Sequence, residues 1–142
     1  MQINGSPEAL ALIRRVIAAC VQHLNLGAAI LNDIKLATTE ACTNVIKHAY
    51  NFDETMSFEL DIRTSEEIFI VEVFYEDPEF IPDEIPVPNL KEIKEGGLGV
   101  FIIRNIMDMV NYETNPDSGR VRLQMVKMLN SPNNGGPSED RT

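Results

Sequence analysis

Two stretches at the start of the chain carry apolar residues at three- and four-residue steps, which is the spacing of an amphipathic helix. The first opens at Ser6 and Pro7, a cap residue followed by a proline suited to the first helical position, and closes at Gly27. The second runs from about Ala29 to about Tyr50. The pattern therefore predicts two consecutive helices in residues 6–50.

Apolar and polar residues alternate in the next part of the chain, as they do in β-strands. Residues 56–62 form one such strand, and residues 68–75 form a second that is apolar enough to be more buried. The polar segment 64–67 joins them as a turn, so the two strands form an antiparallel hairpin. Residues 111–114 and 121–128 supply two more strands around a turn at 115–119.

The segment Glu76–Glu95 differs from its surroundings, because it holds four prolines and seven acidic residues and follows no regular period. Long structureless segments inside compact domains are commonly lids or binding loops, so a lid is predicted here. The alternative is that its acidic residues are a solvated linker. A third helix then opens at Gly96–Gly99 and extends to about Met109, with apolar residues on its inner face.

The order of these elements predicts the fold class. Helices grouped on one face of a mixed, mainly antiparallel sheet make an α/β (α+β) two-layer sandwich. Residues 1–129 are long enough for a single domain with its own core. Residues 130–142 are rich in Pro, Asn, Gly and Ser and are predicted to be a disordered tail.

Charge and composition exclude several classes of protein. The chain has 142 residues and a formal net charge of −10, without the clustered Lys and Arg that nucleic acid or an acidic membrane surface would require. No apolar run is long enough to span a bilayer, and the first residues do not resemble a signal peptide. Cys20 and Cys42 are expected to be reduced thiols, which favours a cytoplasmic protein.

The second helix carries the most informative side chains. Glu40, Asn44 and His48 are four residues apart, so on a helix they fall within a band of roughly 80° that runs into the apolar face. A partly buried carboxylate is costly unless something pairs with it, and amide and phosphate oxygens are ligands that Mg²⁺ prefers. The alternative is that this stripe is ordinary solvated surface.

A run of glycines precedes the third helix. Backbone N–H groups at the start of a helix bind phosphate, and the absence of side chains at Gly96, Gly97 and Gly99 would allow a phosphate close approach. Glycine before a helix is also a common loop feature, so the run alone does not decide the function.

Both motifs together resemble a known family. The segment Thr39–Tyr50 resembles the N-box, and Gly96–Asp108 the second glycine box, of the anti-sigma-factor serine/threonine kinases. These kinases belong to the GHKL superfamily, whose members also include the catalytic domains of histidine kinases. Residues 6–15 are similar to the family's opening helix, and the resemblance covers roughly residues 5–128. It implies the Bergerat ATP-binding fold.

The resemblance also implies roles for individual residues. Asn44 would coordinate Mg²⁺, and Glu40 would act as general base toward a protein serine hydroxyl. The cofactors would be ATP and Mg²⁺, with the lid at 76–95 over the phosphates. The rest of the nucleotide pocket would be formed by Lys47, His48 and the backbone amides around Gly97, Leu98, Gly99 and Val100.

One motif of the family is altered in this chain. The first glycine box reads Asp-x-Gly-x-Gly-Phe, and its Asp accepts a hydrogen bond from adenine. Alignment on Phe80 puts Tyr75 in place of that Asp, and Asp77 and Glu79 in place of the glycines. Asp77 lies on the same strand face as Tyr75 but about 6.6 Å further along, so it would need a shifted turn to replace the missing carboxylate. The sequence leaves adenine recognition open.

Two functions follow from this. The first is an anti-sigma factor with serine kinase activity toward a small antagonist protein, working as a homodimer whose interface could involve the first helix. The second is a Bergerat-fold regulator with weak or absent nucleotide binding, which acts through protein contacts alone. The ATP-binding part of a two-component system is a weaker third option. The altered first glycine box favours the second function, whereas Glu40, Asn44 and the glycine run favour the first.

Overall fold

The computed structural model describes residues 1–77 and 98–129. Three helices and five strands alternate in groups along this part of the chain. In order they are strand β1 Gln2–Asn4, helix α1 Ala9–Val21, helix α2 Ala28–Asn44, strand β2 Ser57–Thr64, strand β3 Ile68–Glu76, helix α3 Leu98–Ile106, strand β4 Met109–Asn115 and strand β5 Arg120–Met128. A 3-10 turn, Gln22–Leu24, follows α1, and a π-helix, Val45–Ala49, continues α2.

The strands form one sheet in the order β1-β2-β3-β5-β4, and every neighbouring pair is antiparallel. Alternate residues of β3 point toward the helices and are fully or almost fully buried, because they form a core with the apolar faces of α1, α2 and α3. These residues are Phe69, Val71, Val73 and Tyr75. The structure therefore confirms the predicted two-layer sandwich with its helices on one face of the sheet.

Strand β1 was not predicted. It is only three residues long, and its hydrogen-bonding partner, β2, lies more than fifty residues later, with Gln2 opposite Glu59. The next residue explains the close fit of this segment. The Gly5 N–H donates to the Met56 carbonyl at 2.9 Å, and a Cβ on Gly5 would lie 2.8 Å from the Asp53 carbonyl oxygen. Glycine is therefore required where β1 meets the loop that follows α2.

The predicted helix ends are shifted in three places. Helix α1 begins at Ala9, not near Ser6, because the Ala9 and Leu10 N–H groups donate to the carbonyls of residues 6 and 7 in a tight turn. Asn25 adopts the left-handed conformation with φ 52°, so Gly27 does not end the first helix but lies at the N-cap of α2. Helix α3 ends at Ile106, because Met109 already opens β4.

The first two residues of the predicted lid continue strand β3. Glu76 is the last residue of β3, and the Asp77 N–H donates to the Gly119 carbonyl at 2.7 Å, which continues the pairing of β3 with β5 by one residue. The remainder of the predicted lid and the predicted tail lie outside the described residues. No helix within residues 1–77 and 98–129 is long and apolar enough to cross a membrane.

Candidate functional site

Two helices bring the two sequence motifs toward each other. Helix α2 carries Glu40 and Asn44 in its last two turns, and it packs against α3, which begins at Leu98. Small and apolar residues of α2 are buried on the side that faces the core, namely Ile34, Ala37, Ala41 and Cys42. The polar stripe therefore lies on the border between this dry side and solvent.

Glu40 and Asn44 are both half-buried. Within the described part of the chain, neither side chain forms a hydrogen bond or an ion pair with another residue. The neighbouring Thr39 differs, because its buried hydroxyl donates to the carbonyls of Lys35 at 2.8 Å and Leu36 at 3.1 Å. Partly buried polar groups normally have partners. A carboxylate and an amide that lack them, one helical turn apart, are available to a ligand.

The predicted stripe does not continue as an ideal helix. After Asn44 the chain forms a π-helix, in which the Tyr50 N–H donates to the Val45 carbonyl at 2.9 Å. An i→i+5 bond adds a residue to the turn, so the 100° step used for His48 does not apply. Lys47 and His48 are both exposed in this turn. Short π-helices occur frequently at functional sites.

The end of this π-helix is anchored to the sheet. Tyr50 is buried, its hydroxyl donates to the Ser57 carbonyl at 2.7 Å, and its ring lies 6.4 Å from that of Phe58. Burial raises the pKa of Tyr50, so the hydroxyl stays protonated as a donor. Asn51 and Phe52 follow with φ of 51° and 63°. The chain therefore reverses sharply after the site, at a position fixed by Tyr50.

The phosphate-binding elements are described in part. Leu98, Gly99 and Val100 form the first turn of α3, and Val100 is half-buried. Gly97 lies outside the described residues. The N–H groups in the first turn of a helix have no partners within the helix, and the helix dipole favours an anion there. Phosphate binding at the start of α3 therefore stays a prediction.

Tyr75 lies inside the molecule. It is 8% exposed, faces the helices, and lines a cavity of about 320 Å³ with Tyr50, Ser57 and Glu76. Burial is the main reason that the pKa of Tyr75 is raised, and nearby Tyr112 adds to the effect. Asp77 follows on the same face, with its backbone held in the extension of β3 rather than in a shifted turn.

Cys42 stands between Glu40 and Asn44 in sequence but faces the core. It is fully buried, and burial raises the pKa of its thiol to about 12. A thiol with such a pKa does not form the thiolate that a nucleophile requires. Cys42 therefore packs the dry side of α2 and takes no part in the chemistry.

Asp108, which belongs to the second glycine-box motif, connects the end of α3 to strand β5. It lies beyond the end of α3, where its carboxylate accepts a hydrogen bond from the Met128 N–H at 2.6 Å and its own N–H donates to the Val126 carbonyl at 2.8 Å. These bonds fasten the end of α3 to β5. The structure gives Asp108 a positioning role for the helix and no direct place at Glu40.

The donor set suits a magnesium ion that is held mainly by a substrate. Within residues 1–77 and 98–129, no group of three or more His, Cys, Asp or Glu side chains could hold a metal. Mg²⁺ is commonly bound through one or two protein oxygens together with waters and substrate phosphates. The Asn44 side-chain oxygen, on the helix that packs against α3, fits that pattern.

Two features of this site could not be read from the sequence. The π-helix has no sequence pattern of its own, and the anchoring bond of Tyr50 depends on where β2 lies. A tyrosine at the end of an apolar helix face was visible in the sequence. Its partner was not, because Ser57 contributes a backbone carbonyl that any residue could supply.

Comparison with known proteins places these residues in context. Residues 3–127 match the family model described as histidine kinase-like ATPase domain. The chain is 33% identical over 138 residues to a serine-protein kinase RsbW of Halalkalibacterium halodurans, an alignment that covers 91% of this chain and 82% of that protein. It is 28% identical over 138 residues to the serine-protein kinase RsbW of Bacillus subtilis, covering 92% and 84%.

Solved structures share the fold at lower identity. The RsbU and RsbW domains of a Mycobacterium tuberculosis protein match with a TM-score of 0.60 and 10% identity, over 91% of this chain and 32% of that longer chain. The SiaB–SiaC complex of Pseudomonas aeruginosa matches with a TM-score of 0.60 and 14% identity, over 91% and 89%. At these identities the likeness concerns the fold alone.

Proposed function

This chain belongs to the histidine kinase-like ATPase family, and from that premise we propose that it is an ATP- and Mg²⁺-dependent protein kinase. Its substrate is a serine of a small antagonist protein, and the same chain acts as an anti-sigma factor. Similarity to serine-protein kinases RsbW over most of the chain supports this function. The observation that carries it is the half-buried pair Glu40 and Asn44 on α2, the helix that packs against α3, because neither side chain has a partner among the described residues.

In this proposal Glu40 is the general base. A carboxylate on the border of the core can accept the proton of a serine hydroxyl as the γ-phosphoryl group moves from ATP to the serine oxygen, and ADP leaves. Glu40 has no cation to hold it among the described residues, so it is free to turn toward a substrate. Asn44, one turn later, would hold Mg²⁺ through its side-chain oxygen.

The phosphates would be bound by backbone groups and by nearby cations. Mg²⁺, when bound, neutralises charge that develops on the phosphate oxygens. The N–H groups from Gly97 to Val100 would donate to those oxygens at the start of α3. The exposed Lys47 and His48 would line the same pocket from the π-helix.

Base recognition is the part of the proposal that differs from the family pattern. The buried Tyr75 stands in the place of an acceptor carboxylate, and its pKa, raised by burial, keeps it a neutral hydroxyl. A hydroxyl can still accept one hydrogen bond from an adenine amino group, and Asp77 is the nearest carboxylate on the same face. We therefore propose weaker adenine recognition than an Asp would provide.

The partners proposed for the chain are proteins. They are a sigma factor, which it would sequester, and an antagonist protein, which it would phosphorylate in the cytoplasm. A second copy of the chain would complete a homodimer. The acidic net charge of −10 makes nucleic acid an unsuitable partner.

Calorimetric titration with ATP and Mg²⁺ tests the proposal. Wild-type protein is expected to bind, Asn44→Ala to lose most of the magnesium-dependent affinity, and Tyr75→Asp to bind more tightly. Asn32→Ala is the matched control, because it removes an exposed amide from the same helix three turns earlier. It should bind as the wild type does.

The second candidate function predicts a different result. A regulator that acts through protein contacts alone would show neither heat of binding nor a thermal shift with ATP. If only Tyr75→Asp gained both, the kinase proposal would be wrong for the natural chain. The altered base position at Tyr75 is the observation that favours this alternative.

A further inference from the structure

Tyr75 carries a hydroxyl that has no partner among the described residues. The side chain is 8% exposed and faces the helices, and no hydrogen bond joins its hydroxyl to a group within residues 1–77 or 98–129. Tyr50 differs, because its hydroxyl donates to the Ser57 carbonyl at 2.7 Å. Buried polar groups normally have partners, so the Tyr75 hydroxyl is available to a ligand.

The same hydroxyl is held in its neutral form. Burial is the main cause that raises the pKa of Tyr75 far above its ordinary value of 10, and the charges of Tyr112 and Asp77 add to the effect. The hydroxyl therefore keeps its proton and can donate it to a ligand. A neutral hydroxyl can also accept a hydrogen bond, but its own proton then needs another acceptor. In the structure no described residue accepts that proton.

A carboxylate follows this donor on the same face of β3. The Asp77 N–H donates to the Gly119 carbonyl at 2.7 Å, so the alternation of the strand continues as far as Asp77. Two residues of strand span about 6.6 Å. Asp77 is half-buried, and its charge is close enough to affect the pKa of Tyr75. The end of β3 therefore presents a hydrogen-bond donor and, beside it, an acceptor.

Tyr75 has neighbours from both helical elements that carry the proposed nucleotide site. Tyr112 on β4 lies close enough to affect the pKa of Tyr75, and the guanidinium carbon of Arg104 on α3 lies 5.8 Å from the centre of the Tyr112 ring. Tyr50, which directly follows the π-helix at the end of α2, is a third neighbour. The donor and the acceptor at the end of β3 therefore lie on the helix side of the sheet, where the nucleotide is proposed to bind.

Purine bases differ in the groups that they present to such a pair. Guanine carries a carbonyl at position 6, which accepts a hydrogen bond, and N–H groups at positions 1 and 2, which donate. Adenine has an amino group at position 6, which donates, and a nitrogen at position 1 that can only accept. A hydroxyl donor beside a carboxylate acceptor therefore complements a 6-oxopurine. Against adenine, the carboxylate would face the lone pair of the nitrogen at position 1.

We propose that the nucleotide site of this chain prefers a 6-oxopurine nucleotide such as GTP over ATP, because Tyr75 donates to the oxygen at position 6 and Asp77 accepts from the N–H at position 1. The inference rests on the proposed function, since it names the base that the same site selects. ATP stays the weaker-binding phosphoryl donor. Tyr75 determines specificity in this arrangement and takes no part in the transfer of the γ-phosphoryl group.

Calorimetric titration of the full chain with the Mg²⁺ complexes of four nucleotides tests the preference. GTP should bind the wild type about ten- to a hundredfold more tightly than ATP, because adenine leaves the buried hydroxyl proton without an acceptor. ITP lacks the amino group at position 2 but keeps the oxygen at position 6, so it should follow GTP. The triphosphate of 2,6-diaminopurine has amino groups at both positions, so it should follow ATP.

Two substitutions separate the hydroxyl of Tyr75 from its ring. Tyr75→Phe keeps the buried ring and removes the hydroxyl, so the affinity for GTP should fall at least about tenfold while the affinity for ATP changes little. Tyr75→Asp puts an acceptor at this position and should bind ATP more tightly than GTP. Tyr112→Phe is the matched control, because it removes the neighbouring hydroxyl on β4 and should keep the wild-type ratio. Thermal denaturation checks that each variant is folded.

The outcomes separate base selection from the function on which it rests. A wild type that binds ATP as tightly as GTP and ITP would overturn the base selection and leave the kinase proposal standing. A preference that survives Tyr75→Phe, or that Tyr112→Phe abolishes, would likewise overturn the role of Tyr75 alone. A wild type that binds none of the four nucleotides would overturn the nucleotide site itself, and the kinase proposal with it.

Discussion

Two carboxylates of this protein, Glu40 and Glu72, lie on different layers of the fold. They differ in whether other side chains form hydrogen bonds and ion pairs with them. Glu72 lies on the face of the sheet that points away from the helices, 6% exposed, and its oxygens accept from two arginines and a glutamine. Glu40 lies on α2, half-buried, with no hydrogen bond or ion pair to any described residue. Glu72 therefore stabilises the sheet, whereas Glu40 is available to a substrate.

The difference shows how the surroundings of a carboxylate separate stability from function. A buried charge is tolerated when other side chains form ion pairs and hydrogen bonds with it. Removing that charge leaves those side chains unpaired. A half-buried carboxylate without partners loses part of its hydration and gains no hydrogen bond in return, which lowers the stability of the folded state. Such a loss of stability is acceptable at a site where the carboxylate is needed for function. Substitution of each residue should therefore affect a different measurable quantity.

Glu40→Gln is expected to have the largest effect. The rate of phosphoryl transfer from ATP to the antagonist protein should fall by about 10²- to 10⁴-fold, because the general base is lost. ATP affinity by calorimetry and the free energy of unfolding should change little. Asp33→Asn, on the same helix, is the control and should retain full activity. Normal transfer by Glu40→Gln would remove Glu40 from the mechanism.

The buried thiol of Cys42 on α2 should make the free energy of unfolding fall at high pH. Burial raises the pKa of the Cys42 thiol from 9.0 to about 12, so the folded state favours the neutral form and this stability is lost as pH rises above 9. The free energy of unfolding should decline by about 1.4 kcal/mol per pH unit between pH 9 and 12 from this group. Urea titrations at pH 8 to 10.5 measure the slope, and Cys42→Ala should flatten it. An equal slope in both proteins would contradict the assignment.

Glu72→Gln should lower stability and spare catalysis. The change removes the carboxylate that pairs with Arg63 and one of the two that pair with Arg122. Since both arginines are partly exposed, we expect a loss of about 1–3 kcal/mol in the free energy of unfolding. The transfer rate per folded molecule should stay at the wild-type value. Glu113→Gln, an exposed partner of the same arginine, should cost less than about 1 kcal/mol. Equal losses for the two variants would mean that burial of Glu72 is unimportant.

The smallest effect is expected at the turn after the π-helix. Phe52 is exposed and has φ 63°, a conformation that costs a non-glycine residue about 1–2 kcal/mol. Phe52→Gly should therefore raise the free energy of unfolding by roughly 0.5 kcal/mol after the greater chain entropy of glycine is deducted. Phe52→Ala keeps the strain and should show no gain in thermal or urea denaturation.

Much of the fold was predictable because local patterns agreed with one another. Three- and four-residue periods predicted α1 and α2, and alternation predicted β2 and β3, where the structure has them to within a few residues. Strand β1 could not be predicted, since three residues carry too little pattern. The helix ends shifted where turns, such as the one at Ser6, competed with helical hydrogen bonds.

The candidate site was predictable in its residue types and less so in its geometry. Spacing alone put Glu40 and Asn44 one turn apart on a helix. The positions of Lys47 and His48 could not be extrapolated, because the π-helix changes the number of residues per turn. The pairing of β3 with β5, which fixes Asp77 opposite Gly119, arises from residues more than forty positions apart.

The sequence by itself determined which elements form, because helix and strand periods are local, and it determined which side chains could carry phosphate chemistry. Only the tertiary structure decided which of these side chains have partners. Glu40 and Glu72 are the same residue type, and their sequence neighbours do not show which of them acquires charged partners. The strand order places Arg63 and Arg122 on either side of Glu72, whereas α2 places no cation beside Glu40 among the described residues.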